Sequence, residues 1–185
     1  MPEFVIYIND NDSFMCSSAD EVLGGLEDLP VCESCLYRTD LEYINKKFKL
    51  RRKAYDLSST YDGYYIASLK FKELIEREKI KGVELHPLDN EPEYFALFVR
   101  NVVKFDTHKR GCKSENFCLK CGSYESFVGS SPTFIKEPLP NDLCRSDVVF
   151  GSGNEKSPLL LASQHFLDLV KREKLKGISF EQVRT

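Results

Sequence analysis

Features typical of membrane and secreted proteins are absent from this sequence. Its longest apolar runs, such as residues 159–162, are far shorter than the roughly 20 residues that a membrane-spanning helix needs. Residues 1–8 carry no basic cluster followed by a long apolar segment, so they lack the pattern of a secretory signal peptide. We therefore expect a cytoplasmic protein that does not associate with a membrane.

Two kinds of catalytic pattern are also missing. The sequence has no glycine-rich phosphate-binding loop and no G-x-G-x-x-G motif. It has three histidines, His86, His108 and His165, and no pattern places any of them beside a cysteine as a nucleophile–base pair. The sequence therefore shows no phosphate-binding loop and no histidine–cysteine catalytic pair, and we identify no catalytic residues in it.

Length and composition indicate one globular domain over residues 1–185. With 42% hydrophobic and 30% charged residues the chain can form a sizeable core, and a chain of this size buries about 70% of its unfolded surface. Its net charge of −3 is unevenly spread, since residues 1–45 hold ten acids and one base, whereas residues 46–53 hold six bases. An acidic region attracts a basic partner. The basic run is typical either of a nucleic-acid contact or of a strand edge that faces solvent.

Two stretches of sequence repeat each other at an offset of 95 residues. The stretch from Ala67 to Gly82 matches the stretch from Ala162 to Gly177 at nine of sixteen positions without a gap. In each copy a serine precedes apolar residues at helical spacing, and a Lys-x-Lys-Gly segment follows, which predicts a Ser-capped, Gly-terminated helix. An apolar strand precedes each helix and a short strand follows it. The pattern predicts an α+β fold of two related half-repeats, residues 1–88 and 89–185.

Other elements follow from local patterns. Apolar and β-branched runs predict strands within 4–8, 64–67, 93–105, 148–150 and 159–162. Phe48 and Leu50 alternate with basic residues, as in a strand with one solvated face. We expect a short helix within residues 20–26 and a polar, cysteine-bearing loop over residues 107–122.

The cysteines carry the clearest chemical pattern. Seven cysteines, an odd number, in a cytoplasmic chain indicate thiols or metal ligands more than a disulfide framework. Cys32 and Cys35 form one C-x-x-C pair, and Cys118 and Cys121 form another, 83 residues further on. Each pair can supply half of a tetrahedral thiolate site, so the spacing predicts that these four residues bind one structural Zn²⁺ ion at the junction of the two half-repeats.

Alternatives to this zinc site remain open at the level of the sequence. The four thiols could be free and buried, or form a redox pair or a disulfide. Leu36 follows the first pair where Gly122 follows the second, and Cys112 is close enough in sequence to replace a ligand. The sequence assigns no role to Cys16 or Cys144.

The order of motifs in the second half resembles that of the double-CXXCG motif proteins, a family of immunity proteins of bacterial polymorphic toxin systems. The resemblance rests on Glu-Tyr-Phe-Ala-Leu at 93–97, Cys-x-x-Cys-Gly at 118–122, Asp-Val-Val-Phe at 147–150, and the run at 160–180. It covers most of the chain, more clearly after about residue 48.

This resemblance implies a non-enzymatic protein that binds and neutralises a cognate toxin protein, with zinc in a structural role. It identifies neither the toxin nor the contact residues, and the oligomeric state stays open. The residues alone leave two alternatives, a zinc-ribbon-like nucleic-acid-binding module and a C-x-x-C thiol oxidoreductase. Of these the nucleic-acid module ranks higher, although no series of stacking aromatics accompanies the basic run.

Overall fold

The computed structural model describes residues 2–16 and 29–184, so the helix expected within 20–26 lies outside the described residues. In these ranges the chain is mostly sheet and has three helices. In chain order the elements are β1 (Glu3–Ile8), β2 (Leu57–Ser59), β3 (Tyr65–Ser68), α1 (Leu69–Arg77), β4 (Val83–Leu88), β5 (Glu91–Val99), β6 (Val102–Val103), α2 (Thr107–Arg110), β7 (Lys113–Cys118), β8 (Ser123–Val128), β9 (Leu143–Ser152), β10 (Glu155–Ser163), α3 (Gln164–Arg172) and β11 (Ile178–Gln182).

The strands form two sheets. The larger sheet has the order β11-β1-β10-β9-β8-β7, with β6 added in parallel to β9, and the smaller sheet has the order β2-β3-β5-β4. β1 therefore pairs with the C-terminal strands β10 and β11, which joins the two ends of the chain in one sheet. β7 forms an edge of the larger sheet.

One core joins both sheets to the two long helices. Phe71 of α1 and Phe166 of α3 are fully buried and meet edge to face, with ring centroids 6.3 Å apart. Around them lie apolar side chains from β1, β2, β3, β5, β9 and β10. Burial of one such phenylalanine stabilises the fold by about 1.5–3 kcal/mol. Both helices therefore pack into one core that is shared by the two sheets.

The two repeated helices begin in the same way. The Ser68 hydroxyl accepts a hydrogen bond from the Phe71 amide at 3.2 Å, and the Ser163 hydroxyl accepts one from the Phe166 amide at 3.1 Å. Each serine hydroxyl also donates to an aspartate, Asp56 for Ser68 and Asp142 for Ser163. The predicted serine caps are confirmed.

The helices end before the predicted glycine caps. α1 ends at Arg77 and α3 at Arg172, and the left-handed residues that follow are Lys79 (φ 54°) and Lys174 (φ 52°). In both copies the next amide closes a Schellman turn onto the carbonyl five residues earlier, at 3.0 and 3.1 Å. The prediction of Gly-terminated helices is therefore wrong: the glycines at 82 and 177 lie in the turns that lead into β4 and β11.

Reciprocal ion pairs join the ends of these two helices. Arg77 binds Glu173 at 2.8 Å, and Arg172 binds Glu78 at 2.5 Å. Under the 95-residue offset Arg77 corresponds to Arg172 and Glu78 to Glu173, so the two ion pairs are equivalent.

Two local predictions are wrong. Residues 107–122 are not a loop, because they contain α2 and β7, and β7 pairs with β8 as a hairpin. Phe48 and Leu50 are buried and Lys49 is exposed, as the alternation predicts, but the segment forms no strand. The buried carboxylate of Glu91 holds it instead, by accepting from the Leu50 amide at 2.9 Å.

Candidate metal centre

The four cysteines of the two C-x-x-C pairs lie together. Their sulfur atoms all fall within 4.8 Å of one another, and the Cys32–Cys118 and Cys35–Cys121 distances are 3.8 and 3.7 Å. A tetrahedral ion with sulfurs at 2.3 Å requires neighbouring sulfurs about 3.8 Å apart. The cluster therefore has the composition and spacing of a metal site, and the predicted convergence of the two pairs is confirmed.

The two cysteine turns have the same backbone geometry. The Leu36 amide donates to the Cys32 carbonyl at 2.8 Å, and the Gly122 amide donates to the Cys118 carbonyl at 2.9 Å. Both residues are left-handed, with φ values of 63° and 69°. Leu36 therefore adopts the conformation that glycine takes in the second turn, and the absence of glycine does not change the turn.

Backbone amides point at the first sulfur of each turn. The amides of Cys121 and Lys120 lower the pKa of the Cys118 thiol to about 6. Those of Cys35 and Ser34 likewise lower the pKa of Cys32. Such hydrogen bonds stabilise the thiolate, which is the form that binds a metal ion.

The pKa of Cys35, the second cysteine of its pair, shifts in the opposite direction. The Tyr37 amide lowers its pKa, but desolvation and the three neighbouring thiols outweigh that effect and raise it to about 11. The contrast has a simple cause, since neighbouring thiols cannot all ionise at short range without a cation among them. A bound dication removes this repulsion.

The two turns are anchored by different means. The second turn is the tip of the β7–β8 hairpin, because β7 ends at Cys118 and β8 begins at Ser123. The first turn is held by a bridge between Val31 and Arg38 and by a 2.9 Å hydrogen bond from the Arg38 amide to Asn154. Arg38 therefore fixes the first cysteine pair against the β9–β10 turn.

The Arg38 side chain is itself buried, with 7% exposed. Its Nη2 donates to the carbonyls of Asp62 and Lys156, and the guanidinium lies 4.7 Å from the ring centre of Tyr64. The Asp62 carboxylate in turn accepts from the amides of Met15 and Cys16 at 2.9 and 2.8 Å. A polar network thus connects the first turn to the core.

The remaining cysteines lie outside the cluster. Cys112 donates to the Gly129 carbonyl at 3.2 Å and is not one of the four grouped sulfurs. Cys16 contacts the Tyr64 hydroxyl at 3.4 Å, and Cys144 donates to the Asn141 carbonyl. In the described ranges no hydrogen bond joins a histidine to a cysteine. His86 instead contacts Glu84 at 3.2 Å.

The bases of the basic run, residues 46–53, are exposed, and only some of them form ion pairs. Arg52 pairs with Asp12 at 2.6 Å and Lys53 with Glu91 at 2.5 Å. The other four bases are exposed and form no ion pair within residues 2–16 and 29–184; they are Lys46, Lys47, Lys49 and Arg51. Part of the acidic region, residues 1–45, lies outside these ranges.

No family model matches the chain. A search of curated proteins also gives no match. Among the described residues no helix has the length and apolar character needed to cross a bilayer.

Proposed function

We propose that the protein is a non-enzymatic, cytoplasmic immunity protein that binds and neutralises a bacterial toxin, and that a structural zinc ion stabilises it. The observation that carries the proposal is the convergence of Cys32, Cys35, Cys118 and Cys121. One half of this cluster, Cys-x-x-Cys-Gly at 118–122, is among the motifs by which the sequence resembles the double-CXXCG immunity proteins.

The donor set favours zinc in a structural role. Four soft thiolates at tetrahedral spacing suit Zn²⁺, and a closed four-sulfur set leaves no position for a reacting water. The site joins a turn near the start of the chain to a hairpin near its middle. When bound, the ion holds these segments together, and it supplies no catalytic step.

Exposed apolar side chains around the cysteine turns support a protein partner. Leu119 is 91% exposed and Leu36 is 58% exposed, one on each turn. Phe117, 49% exposed, contacts Tyr124 on the neighbouring strand with ring centroids 4.9 Å apart. Apolar side chains exposed around one site, as on both cysteine turns here, are typical of a surface that binds another protein.

Growth rescue tests the immunity function. The test takes a candidate toxin gene from beside this gene and expresses it alone and together with the protein in a sensitive bacterial host. We expect rescue of growth and a 1:1 complex on gel filtration. Leu119→Asp should weaken the complex, whereas Leu69→Asp, an exposed leucine on α1, is the matched control. If co-expression leaves killing unchanged and no complex forms, the proposal is wrong.

A nucleic-acid-binding function is the second candidate, because Lys46, Lys47, Lys49 and Arg51 are exposed without ion pairs. Such a module binds DNA or RNA with an affinity that falls steeply with salt, by about one power of concentration for each phosphate contact. Replacement of these four bases by glutamine should then abolish binding. If the wild type and this variant bind DNA and RNA equally weakly, the nucleic-acid-binding function is ruled out.

A thiol oxidoreductase is less well supported. The lowered pKa of Cys118 meets one requirement, but the sulfurs face each other across two turns, and β8 rather than a helix follows the second pair. An alkylation assay separates the two functions. The zinc-loaded protein should resist iodoacetamide at all four cysteines, whereas an oxidoreductase should react rapidly at one of them.

We also infer that the chain arose by duplication of one unit, residues 1–88 and 89–185. The support lies in the equivalent serine caps, the equivalent Schellman turns and the reciprocal pairs Arg77–Glu173 and Arg172–Glu78. Each contact maps onto its partner under the offset of 95 residues. If the two halves are equivalent, the two serine caps should contribute equally to the free energy of unfolding.

A further inference from the structure

A cavity is lined by strands of both sheets. It has a volume of about 220 Å³ and is lined by β3 and β5 of the smaller sheet and by β9 and β10 of the larger one. The register of β10 against β9 shifts between Pro158 and Leu160, and both residues line the cavity. The irregularity of the strand therefore lies in the cavity wall.

The walls of the cavity are mainly apolar. Leu97 and Val99 of β5 and Leu160 of β10 are buried and form much of the wall. Tyr65 also lines the cavity, and its hydroxyl donates to the Pro158 carbonyl at 2.5 Å. A dry cavity of about 150 Å³ holds one benzene molecule. The present cavity therefore has room for one aromatic ring and a small substituent.

One cation lines this apolar space. The Arg145 Nε donates to the Val99 carbonyl at 3.0 Å, and its Nη1 donates to the Ser146 carbonyl at 3.2 Å. These bonds use two of the five guanidinium donors. Arg145 is half-buried, and no carboxylate lies within ion-pair distance of it in the part of the chain that the structure describes. Three guanidinium donors therefore remain for an anionic ligand.

The acid at the mouth of the cavity is already engaged. Glu42 lines the cavity, but its Oε1 accepts from Arg100 Nη1 at 2.5 Å. Arg100 also binds Glu84. Glu42 is therefore paired with Arg100 and is not a counter-ion of Arg145.

We propose that this cavity binds a small organic carboxylate with an apolar body about the size of one aromatic ring, and that Arg145 pairs with its carboxylate. The planar guanidinium presents parallel N–H groups to both oxygens of a carboxylate, which a neutral ligand of the same shape cannot match. The apolar walls accept the ring. None of the four cluster cysteines lines this cavity.

Benzoate and benzamide are the probes, because they have nearly the same shape and differ in charge. They are titrated at roughly millimolar concentrations into the zinc-loaded protein while backbone NMR shifts are followed. We expect benzoate to bind at least tenfold more tightly than benzamide, with the largest shifts at Val99, Arg145 and Leu160. Arg145→Gln should bring the two affinities together, whereas Arg51→Gln, an exposed control with the same charge change, should preserve the difference.

A second variant covers the case in which Arg145→Gln does not fold. Val149 lines the cavity, and Val149→Phe fills it while Arg145 stays in place. Benzoate binding should then be lost. The proposal is overturned if benzoate and benzamide bind the wild type equally, if neither binds, if Val149→Phe leaves benzoate binding intact, or if the benzoate shifts map to another surface.

Discussion

Leu36 and Gly122 occupy the same position in the two cysteine turns. Each is left-handed, and each donates its amide hydrogen to the carbonyl of the first cysteine of its pair. A side chain in this conformation costs about 1–2 kcal/mol that glycine does not incur. The first turn therefore carries a strain that the second turn lacks.

Replacement of Leu36 by glycine should stabilise the protein. Relief of the left-handed strain outweighs the greater unfolded-state freedom of glycine, about 0.5–1 kcal/mol, and leaves a net gain of about 0.5–1 kcal/mol. Because 58% of the Leu36 side chain is exposed, little apolar burial is lost. Urea unfolding of the zinc-loaded protein measures the change.

The matched control is Gly122→Ala. A Cβ at Gly122 meets no atom within 4 Å, so the substitution introduces backbone strain without a clash. It should destabilise the protein by about 1 kcal/mol. If Leu36→Gly is as destabilising as Gly122→Ala, the two turns are not equivalent.

Loss of one cluster cysteine should remove the metal. We expect Cys118→Ser to reduce bound zinc from one ion per chain to none, as measured by atomic emission after dialysis. Because zinc binding by four thiolates stabilises a fold by on the order of 10 kcal/mol, the variant should also unfold at a much lower temperature. Chelation of the wild type should have the same effect.

Cys112→Ser is the control for this experiment, because Cys112 bonds the Gly129 carbonyl and lies outside the cluster. It should retain one zinc ion. Loss of zinc from Cys112→Ser together with its retention by Cys118→Ser would show that the ligand set differs from the four cysteines named here.

The sequence predicts the repeated helices well because the relevant signals are local. A serine cap and apolar residues at helical spacing act within one segment, and both Ser68 and Ser163 begin helices as predicted. The helix ends were missed because Lys79 and Lys174 adopt a conformation that is usually assigned to glycine.

Elements that depend on distant pairing were harder to predict. β7 is exposed along most of its length and polar in sequence, so neither burial nor alternation marks it as a strand. The thiol chemistry identifies the four ligands, but only the fold shows that Arg38 anchors their first turn. The cavity around Arg145 has no sequence signal at all, because its walls come from strands of both sheets.

Arg38→Met should destabilise the protein by about 2–4 kcal/mol. The substitution leaves the buried carbonyls of Asp62 and Lys156 without their donor, and it removes the contact with Tyr64. Since Arg38 follows the first cysteine turn directly, zinc affinity should fall as well. Denaturant unfolding and competition with a chromogenic chelator measure the two effects.

Arg51→Met is the control for Arg38→Met, because Arg51 is exposed and forms no ion pair in the described ranges. Its cost should stay below about 0.5 kcal/mol. Equal stability and equal zinc affinity of the two variants would contradict an anchoring role for Arg38.

The two serine caps should contribute equally. Ser68→Ala and Ser163→Ala each remove the acceptor for a first-turn amide and should each cost about 1 kcal/mol. Ser114→Ala, on the exposed strand β7, should change stability by less than about 0.5 kcal/mol. A difference between the two caps larger than about 1 kcal/mol would count against equivalent half-repeats.

The ion pair of Glu84 should make the free energy of unfolding depend on pH under acidic conditions. Arg100, which binds it at 2.6 Å, and then His86 lower the pKa of this carboxyl to about 2. A carboxyl with a depressed pKa stabilises the fold fully above its unfolded pKa of about 4.3, and the contribution is lost as the pH falls toward 2. The difference in unfolding free energy between the wild type and Glu84→Gln should therefore be constant near neutrality and shrink below about pH 4.3.

Comparison of the two proteins at the same pH cancels the release of metal in acid, since both carry the same cysteines. Glu115→Gln is the control, because Glu115 is exposed and has no ion pair in residues 2–16 and 29–184. Its difference from the wild type should stay flat across the same range. A Glu84→Gln difference that is equally flat would show that the contact with Arg100 does not hold the carboxylate in solution.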